Sequence, residues 1–207
     1  MEKHILITVG REFGSGGKSV ASAVGEILGI PVYDNELLVN AAKKSGLSAD
    51  YLQKSDESRH FFGTGGLLDM GRFWHNSGSP TDDTEIFRVQ SEVIRDLAAQ
   101  GSAVFVGRAS DYVLRDFDTL DVFICAPVEV RKARVAERRG ISPEEAESLI
   151  IKKDKARKKY YDLMTFGDNW GVASNYDLCI DSSVLGIRGT AEFIVRFGRE
   201  SGKILSL

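Results

Sequence analysis

The sequence predicts an α/β protein built on a parallel, doubly wound sheet. Three observations carry that expectation. Short apolar runs alternate with longer segments whose apolar residues recur at helical spacing. The runs lack polar alternation, as strands covered on both faces do. The first run breaks into a glycine-rich loop that feeds a helix directly.

The elements follow in order. Ile5, Leu6, Ile7 and Val9 form the first strand. Val20, Ala23, Val24, Ile27 and Leu28 then recur at helical spacing, and Gly29 closes that helix. Residues 30–33 form a second strand ending at Asp34. A helix over 35–45 follows, with Leu37, Leu38, Ala41 and Ala42 inward and Gly46 as its stop. Residues 47–83 lack a period. A short helix over 48–56 gives way to breaker-rich stretches punctuated by Phe61, Phe62, Phe73 and Trp74. A segment of this length in a compact domain reads as a functional flap or as disorder.

Residues 84–100 return to helix, with Ile86, Val89, Val93, Ile94 and Leu97 inward. Residues 103–106 form a third strand ending in Gly107-Arg108, and 121–126 a fourth. A helix spans 127–139, with Pro127 at its start and Gly140 at its end. Ser142, Pro143 and Glu145 spell a capping box that opens a helix running to about Leu163. Residues 177–181 form a fifth strand and 190–198 a closing helix.

The 207 residues, 43% hydrophobic and 28% charged, fit one globular domain. A net charge of -3 gives no global basic footprint for nucleic acid. Cys125 and Cys179 sit in apolar runs and read as reduced core residues of a cytoplasmic protein. His4, His60 and His75 are too scattered for metal-ligand spacing. No apolar run approaches the roughly 20 residues of a membrane span, and no signal-peptide-like apolar region opens the chain. Composition leaves oligomeric state open.

The loop after the first strand is the candidate phosphate cradle. Its glycines let backbone N–H groups turn toward an anion, and the helix that follows adds partial positive charge. The spacing departs from the standard P-loop, which asks for Gly, four residues, then Gly-Lys-Ser/Thr. Gly17-Lys18-Ser19 supplies the second half, but the first Gly falls on Glu12, and Gly10 lies two residues too far upstream. The dinucleotide fingerprint fits no better, since it starts at Gly14 and Gly16 but ends on Ser19.

In a doubly wound sheet, ligands sit outside the carboxyl ends of the strands. Those ends carry the loop, Asp34, Gly107-Arg108, Pro127 and Asp181. Phosphoryl transfer needs cations around the transferred group, so arginines entering this crevice are the candidates. Arg108 follows a buried strand directly, and Asp111, three residues on, is placed to orient it. Arg131 and Arg134 lie nearer the crevice than Arg138 and Arg139, which read as a solvated face. In the basic run 152–159, Asp154, Arg157 and Tyr160 or Tyr161 share one helical stripe, a carboxylate, guanidinium and phenol suited to a sugar phosphate. On a closing lid they would also exclude water.

Together these stretches identify the chain as similar to the cytidylate kinase-like proteins. The stretches are the Arg-Glu-x-Gly-Ser-Gly-Gly loop, LGIPVYDNELL, VFVGRASD, VFICAPVEVRKARVAERR, KKDKARKKYYD and NYDLCIDSSVLGI, in this order over nearly the whole chain. The resemblance implies a P-loop NTPase fold: three α/β/α layers, a five-stranded parallel sheet of order 2-3-1-4-5, a nucleoside-monophosphate-binding insertion and a helical lid. It divides a single domain into a core (1–34, 84–140 and 172–207), an insertion (35–83) and a lid (141–171). It implies ATP with Mg²⁺ as donor and CMP or dCMP as acceptor.

Carried over, Gly14, Ser15, Gly16, Gly17, Lys18 and Ser19 match the phosphate loop, with Arg11 and Arg134 on the ATP side and Ser19 or Ser15 toward the metal. Asp34, Asn35, Arg108, Asp111, Asp154, Arg157 and Tyr161 fall on the acceptor side. Lys18, Arg131 and Arg157 are the expected catalytic cations. The departures are specific: Gly17 stands where the phosphate-bridging lysine belongs, leaving Lys18 or Arg11 to bridge, and Asn35 replaces an acceptor-site serine. A kinase for another small molecule and a non-catalytic nucleotide-binding protein are the other readings of the same residues.

Overall fold

The computed structural model describes residues 4–35, 37, 38, 80–167 and 170–204. Five strands form one parallel sheet in the order β2-β3-β1-β4-β5. They are β1 Leu6–Arg11, β2 Val32–Tyr33, β3 Ala103–Val106, β4 Thr119–Cys125 and β5 Leu178–Asp181. The helices are α1 Gly17–Leu28, α2 Pro80–Gln100, α3 Ser110–Val113, α4 Val128–Arg139, α5 Pro143–Thr165 and α6 Ser182–Glu200.

The period of two in β1 sorts its side chains between two layers. Ile5, Ile7 and Val9 join α1 and α6 in one core, with Val20, Val24 and Ile194 fully buried. Leu6 joins α2 and α3 on the opposite face, with Val93, Ile94 and Leu114. Each such burial contributes about 1.5–3 kcal/mol. Packing of this kind, more than helix propensity, holds a helix as rich in Gly and Val as α1. A Cβ at Gly25 would meet Val32 Cγ2 at 2.3 Å, so glycine lets α1 close onto β2.

The register places the functional ends on one edge. Val9 pairs with Val106 on one side and Val122 on the other, so Gly10, Gly107 and Phe123 emerge together. Ser142 caps α5 with the full capping box, its side chain accepting from Glu145 N and its own N–H donating to Glu145.

Several boundaries differ from expectation. The second strand is confined to Val32–Tyr33, the fourth starts earlier at Thr119, and α2 starts at Pro80. The closing helix starts at Ser182 because Asp181 caps it by accepting from Ser183 N; a break at Gly186 (φ 68, ψ -179) interrupts it. Cys125 is only half-buried and Cys179 is exposed, because β5 is an edge strand. Leu38 is buried but Leu37 is 47% exposed. The remainder of the 35–45 helix, the 48–56 helix and the aromatics at 61–74 lie outside the described residues. Among the described residues, no helix is long and apolar enough to cross a membrane.

Candidate active site

The glycine loop is shaped by left-handed backbone and by its neighbours. Gly14 and Gly16 have φ of 82° and 80°, values that strain any L side chain. A Cβ at Gly14 would lie 2.9 Å from Val135 Cγ2, and one at Gly16 2.5 Å from Ile187 Cδ1. The loop is therefore pressed onto α4 and α6. The N-cap Gly16 has no side chain to cap α1, and no acidic residue lies in its first turn. Gly17 N–H donates to Ser15 Oγ at 3.4 Å, and the first-turn N–H groups beyond it are left for an anion. Ser15 is fully buried and its hydroxyl donates to Glu12 O at 2.9 Å. Of the two serines expected near the metal, Ser15 thus serves the loop itself, whereas Ser19 is exposed on the first turn of α1.

Three helices hold the loop from outside. Phe13 N–H donates to Asp154 Oδ1 at 2.6 Å, and Arg131 Nη1 meets Asp154 Oδ2 at 2.6 Å. Arg131 also donates to Phe13 O and faces Glu12 Oε2 at 3.5 Å. Glu12 in turn accepts from Ala126 N at the end of β4. Arg134 Nη1 donates to Ser15 O and Ser182 Oγ, each at 3.0 Å. The Phe13 ring packs with Val135, Ala146 and Ile150.

The cations gather beside this loop. The Arg11 side chain passes Gly17 and ends against Gly107: a Cβ would lie 2.6 Å from Arg11 Cβ at the first glycine and 1.6 Å from Arg11 Nη1 at the second. Burial, then Arg157 and Arg108, push the Arg11 guanidinium pKa well below its ordinary value, and Asp34 opposes that shift. Arg157 Nη1 donates to Arg11 O at 3.1 Å. Burial lowers the Arg157 pKa, against the pull of Asp154. Arg108 lies 5.3 Å over the Tyr160 ring. Gly107, Arg108 and Ala109 have φ of 72°, 63° and 51° in succession, strain that marks a constrained loop. Lys18 Nζ sits 2.5 Å from Asp34 Oδ2, and Asp34 caps the turn that contains Asn35 by accepting from Leu37 N.

Asp111 and Tyr161 do not join this group. Asp111 does not orient Arg108; its carboxyl accepts from Tyr161 O–H at 2.5 Å. Both line a separate cavity of about 380 Å³ with Arg115, Thr119, Asp121 and Lys203. Burial first, and Asp121 next, push the Asp111 carboxyl up to about 6 against the Tyr161 hydrogen bond. Burial pushes the Tyr161 phenol up as well, with the Asp111 charge adding to it.

Glu12 and Ser182 were not among the expected site residues. Glu12 stood inside the loop motif, and Ser182 lies one residue past a strand end already counted. Among the described residues, no group of three or more His, Cys, Asp or Glu side chains could hold a metal ion.

Residues 6–184 match the family model described as the cytidylate kinase-like family. The cytidylate kinase of Pyrococcus horikoshii is 31% identical over 86% of this chain and 80% of its own. The crystal structure of an uncharacterized protein from Eubacterium ventriosum superposes with a TM-score of 0.70 at 28% identity, covering 93% of this chain and 97% of that one. A shikimate kinase from Acinetobacter baumannii, 15% identical with a TM-score of 0.52 over 98% and 96% of the two chains, shares the fold. With a family match across most of its length and this sheet order, the chain belongs to the cytidylate kinase-like family of phosphotransferases.

Proposed function

We propose that the protein transfers the γ-phosphoryl group of ATP to a nucleoside monophosphate, with CMP or dCMP as the acceptor. One observation carries this reading. Beside a loop whose helix start is open to an anion, Arg11, Arg108 and Arg157 interact electrostatically while Asp34 is the acid that opposes Arg11. Such an excess of half-buried positive charge suits phosphates on both sides of a transferring group. The curated relative named cytidylate kinase supports the cytidine choice.

An acceptor phosphate oxygen attacks the γ-phosphorus. The bond to the β–γ bridging oxygen breaks, giving ADP and a nucleoside diphosphate. The protein supplies position and charge more than covalent chemistry. The loop from Gly14 to Ser19 holds the donor phosphates. Arg131 and Arg134, through their bonds to Phe13 O and Ser15 O, keep the loop in shape. Arg108 and Arg157 meet the acceptor and the transferred group. Asp34 and Asn35 stand at the acceptor side, and residues 35–83 and 141–171 act as insertion and lid. Asp154, held by Phe13 N and Arg131, aligns the loop.

Mg²⁺ is held mainly by substrate phosphates and water in such sites. The exposed Ser19 hydroxyl fits that partial role, and the buried Ser15 hydroxyl does not. The ion, when bound, neutralises charge on the β- and γ-phosphates.

A coupled assay of ADP release with CMP, dCMP, UMP, AMP and no acceptor tests the reading. CMP or dCMP is expected to stimulate turnover most. ATP binding with no stimulation by any nucleotide would sink it.

A further inference from the structure

We propose that Arg11, rather than Lys18, is the cation that bridges the β- and γ-phosphates of the donor. This rests on the ATP-site reading above and assigns, within it, the role of the missing P-loop lysine.

A standard P-loop places that lysine at the first helical position, directly after the glycine that precedes the helix, and here the preceding glycine is the N-cap Gly16. Here the helix start is Gly17, and the volume its side chain would take is already filled. A Cβ at Gly17 would stand 2.6 Å from Arg11 Cβ, 3.0 Å from Arg11 Cγ and 3.3 Å from Ile124 Cβ. The Arg11 stem thus lies where a lysine stem at position 17 would begin. It continues to Gly107, where a Cβ would come within 1.6 Å of Nη1. Two glycines, one on α1 and one after β3, make room for one arginine.

Lys18 points elsewhere. One residue further along α1, a side chain is rotated about 100° around the helix axis. Its ammonium accordingly reaches Asp34 at the end of β2, and the side chain is 70% exposed. It lies on the acceptor side. Arg11 instead ends at β3, the strand that flanks β1, and Arg157 Nη1 binds its backbone carbonyl. The charges around it, Arg108 and Arg157 against Asp34, favour a multiply charged anion.

Arg11→Met keeps the aliphatic stem and removes the charge; Lys18→Met does the same at the other position. Calorimetric titration with AMP-PNP and Mg²⁺ compares them without needing an acceptor. Arg11→Met is expected to weaken binding about tenfold and Lys18→Met less than about threefold. In turnover, Arg11→Met should lower kcat by about two orders of magnitude, while Lys18→Met should act mainly on acceptor KM. Arg11→Gly combined with Gly17→Lys should recover at least about tenfold in kcat over Arg11→Gly.

Equal losses in the two Met variants, or a larger AMP-PNP loss in Lys18→Met, overturn the inference and leave the kinase reading intact. A wild-type protein that binds AMP-PNP yet turns over no nucleotide overturns the kinase reading, and the binding comparison still decides between Arg11 and Lys18. Arg11→Lys, which preserves charge and stem, guards against misfolding: AMP-PNP binding within about threefold of wild type is expected, and loss equal to that of Arg11→Met counts against the bridging role.

Discussion

Asp154 Oδ1 accepts the backbone N–H of Phe13 at 2.6 Å, so a carboxylate on α5 fixes the phosphate loop. Its other oxygen holds Arg131 at 2.6 Å. Asp154 side-chain exposure is 17% and that of Arg131 is 11%, so the pair is only weakly screened. Asp154→Ala strands an amide and a guanidinium at once, leaving Arg131 with Glu12 at 3.5 Å and Phe13 O. The expected loss is about 2–4 kcal/mol in denaturant unfolding, with ATP binding weakened about tenfold. Asp154→Asn keeps an acceptor for Phe13 N–H and should lose less stability. If both variants unfold like the wild type, the carboxylate is not what holds the loop.

Arg134 joins α4 to the loop and to α6 through one nitrogen, which donates to Ser15 O and Ser182 Oγ at 3.0 Å each. Arg134→Ala is expected to weaken ATP binding by about 1–2 kcal/mol, roughly 5- to 30-fold. Acceptor KM at saturating ATP should stay close to wild type. A change confined to acceptor KM would move Arg134 to the other half of the site.

The layers were legible because burial writes itself into spacing: the apolar run of β1 and the helical stripe of α1 became one core. The capping box at Ser142 was legible for a similar reason, being a local code of two side chains. Strand order was not; it came from resemblance, since no local pattern states which strands are neighbours. The cation cluster was only half legible. Arg108 and Arg157 stood out by strand end and helical stripe, but the role of Arg11 depends on how Gly17 and Gly107 approach it from separate elements. The partner of Asp111 was not legible, because sequence proximity to Arg108 said nothing about Tyr161, which lies 50 positions away along the chain and donates to its carboxyl.

Gly107→Ala tests that approach from the β3 side. At φ 72° an alanine costs about 1 kcal/mol of backbone strain, and its Cβ would overlap the far end of the Arg11 side chain. That end can move, so the fold should survive with a Tm lower by a few degrees, about 2–4 °C. Turnover should fall far more, by about two orders of magnitude, because the guanidinium is displaced from its place against Gly107. A variant with near-normal turnover would show that the position of the Arg11 head does not matter for transfer.

Asp111 gives the protein a stability term that depends on pH. Its carboxyl is pushed from 3.8 to about 6 by burial, with Asp121 adding to the shift and Tyr161 opposing it. An acid whose folded value is raised keeps its proton longer when folded. The folded chain therefore binds more protons between about pH 4 and 6, and stability from this group falls as pH rises through that window. The full effect is about 3 kcal/mol for a shift of about two units. Asp111→Asn retains an oxygen for the Tyr161 hydroxyl and removes the ionisation. It should match the wild type near pH 4 and exceed it in unfolding free energy by up to about 3 kcal/mol at pH 8. Urea unfolding at pH 4, 6 and 8 reads this directly. A variant less stable than wild type at pH 8 would mean that the ionised carboxylate, held by Tyr161, contributes more than its burial costs.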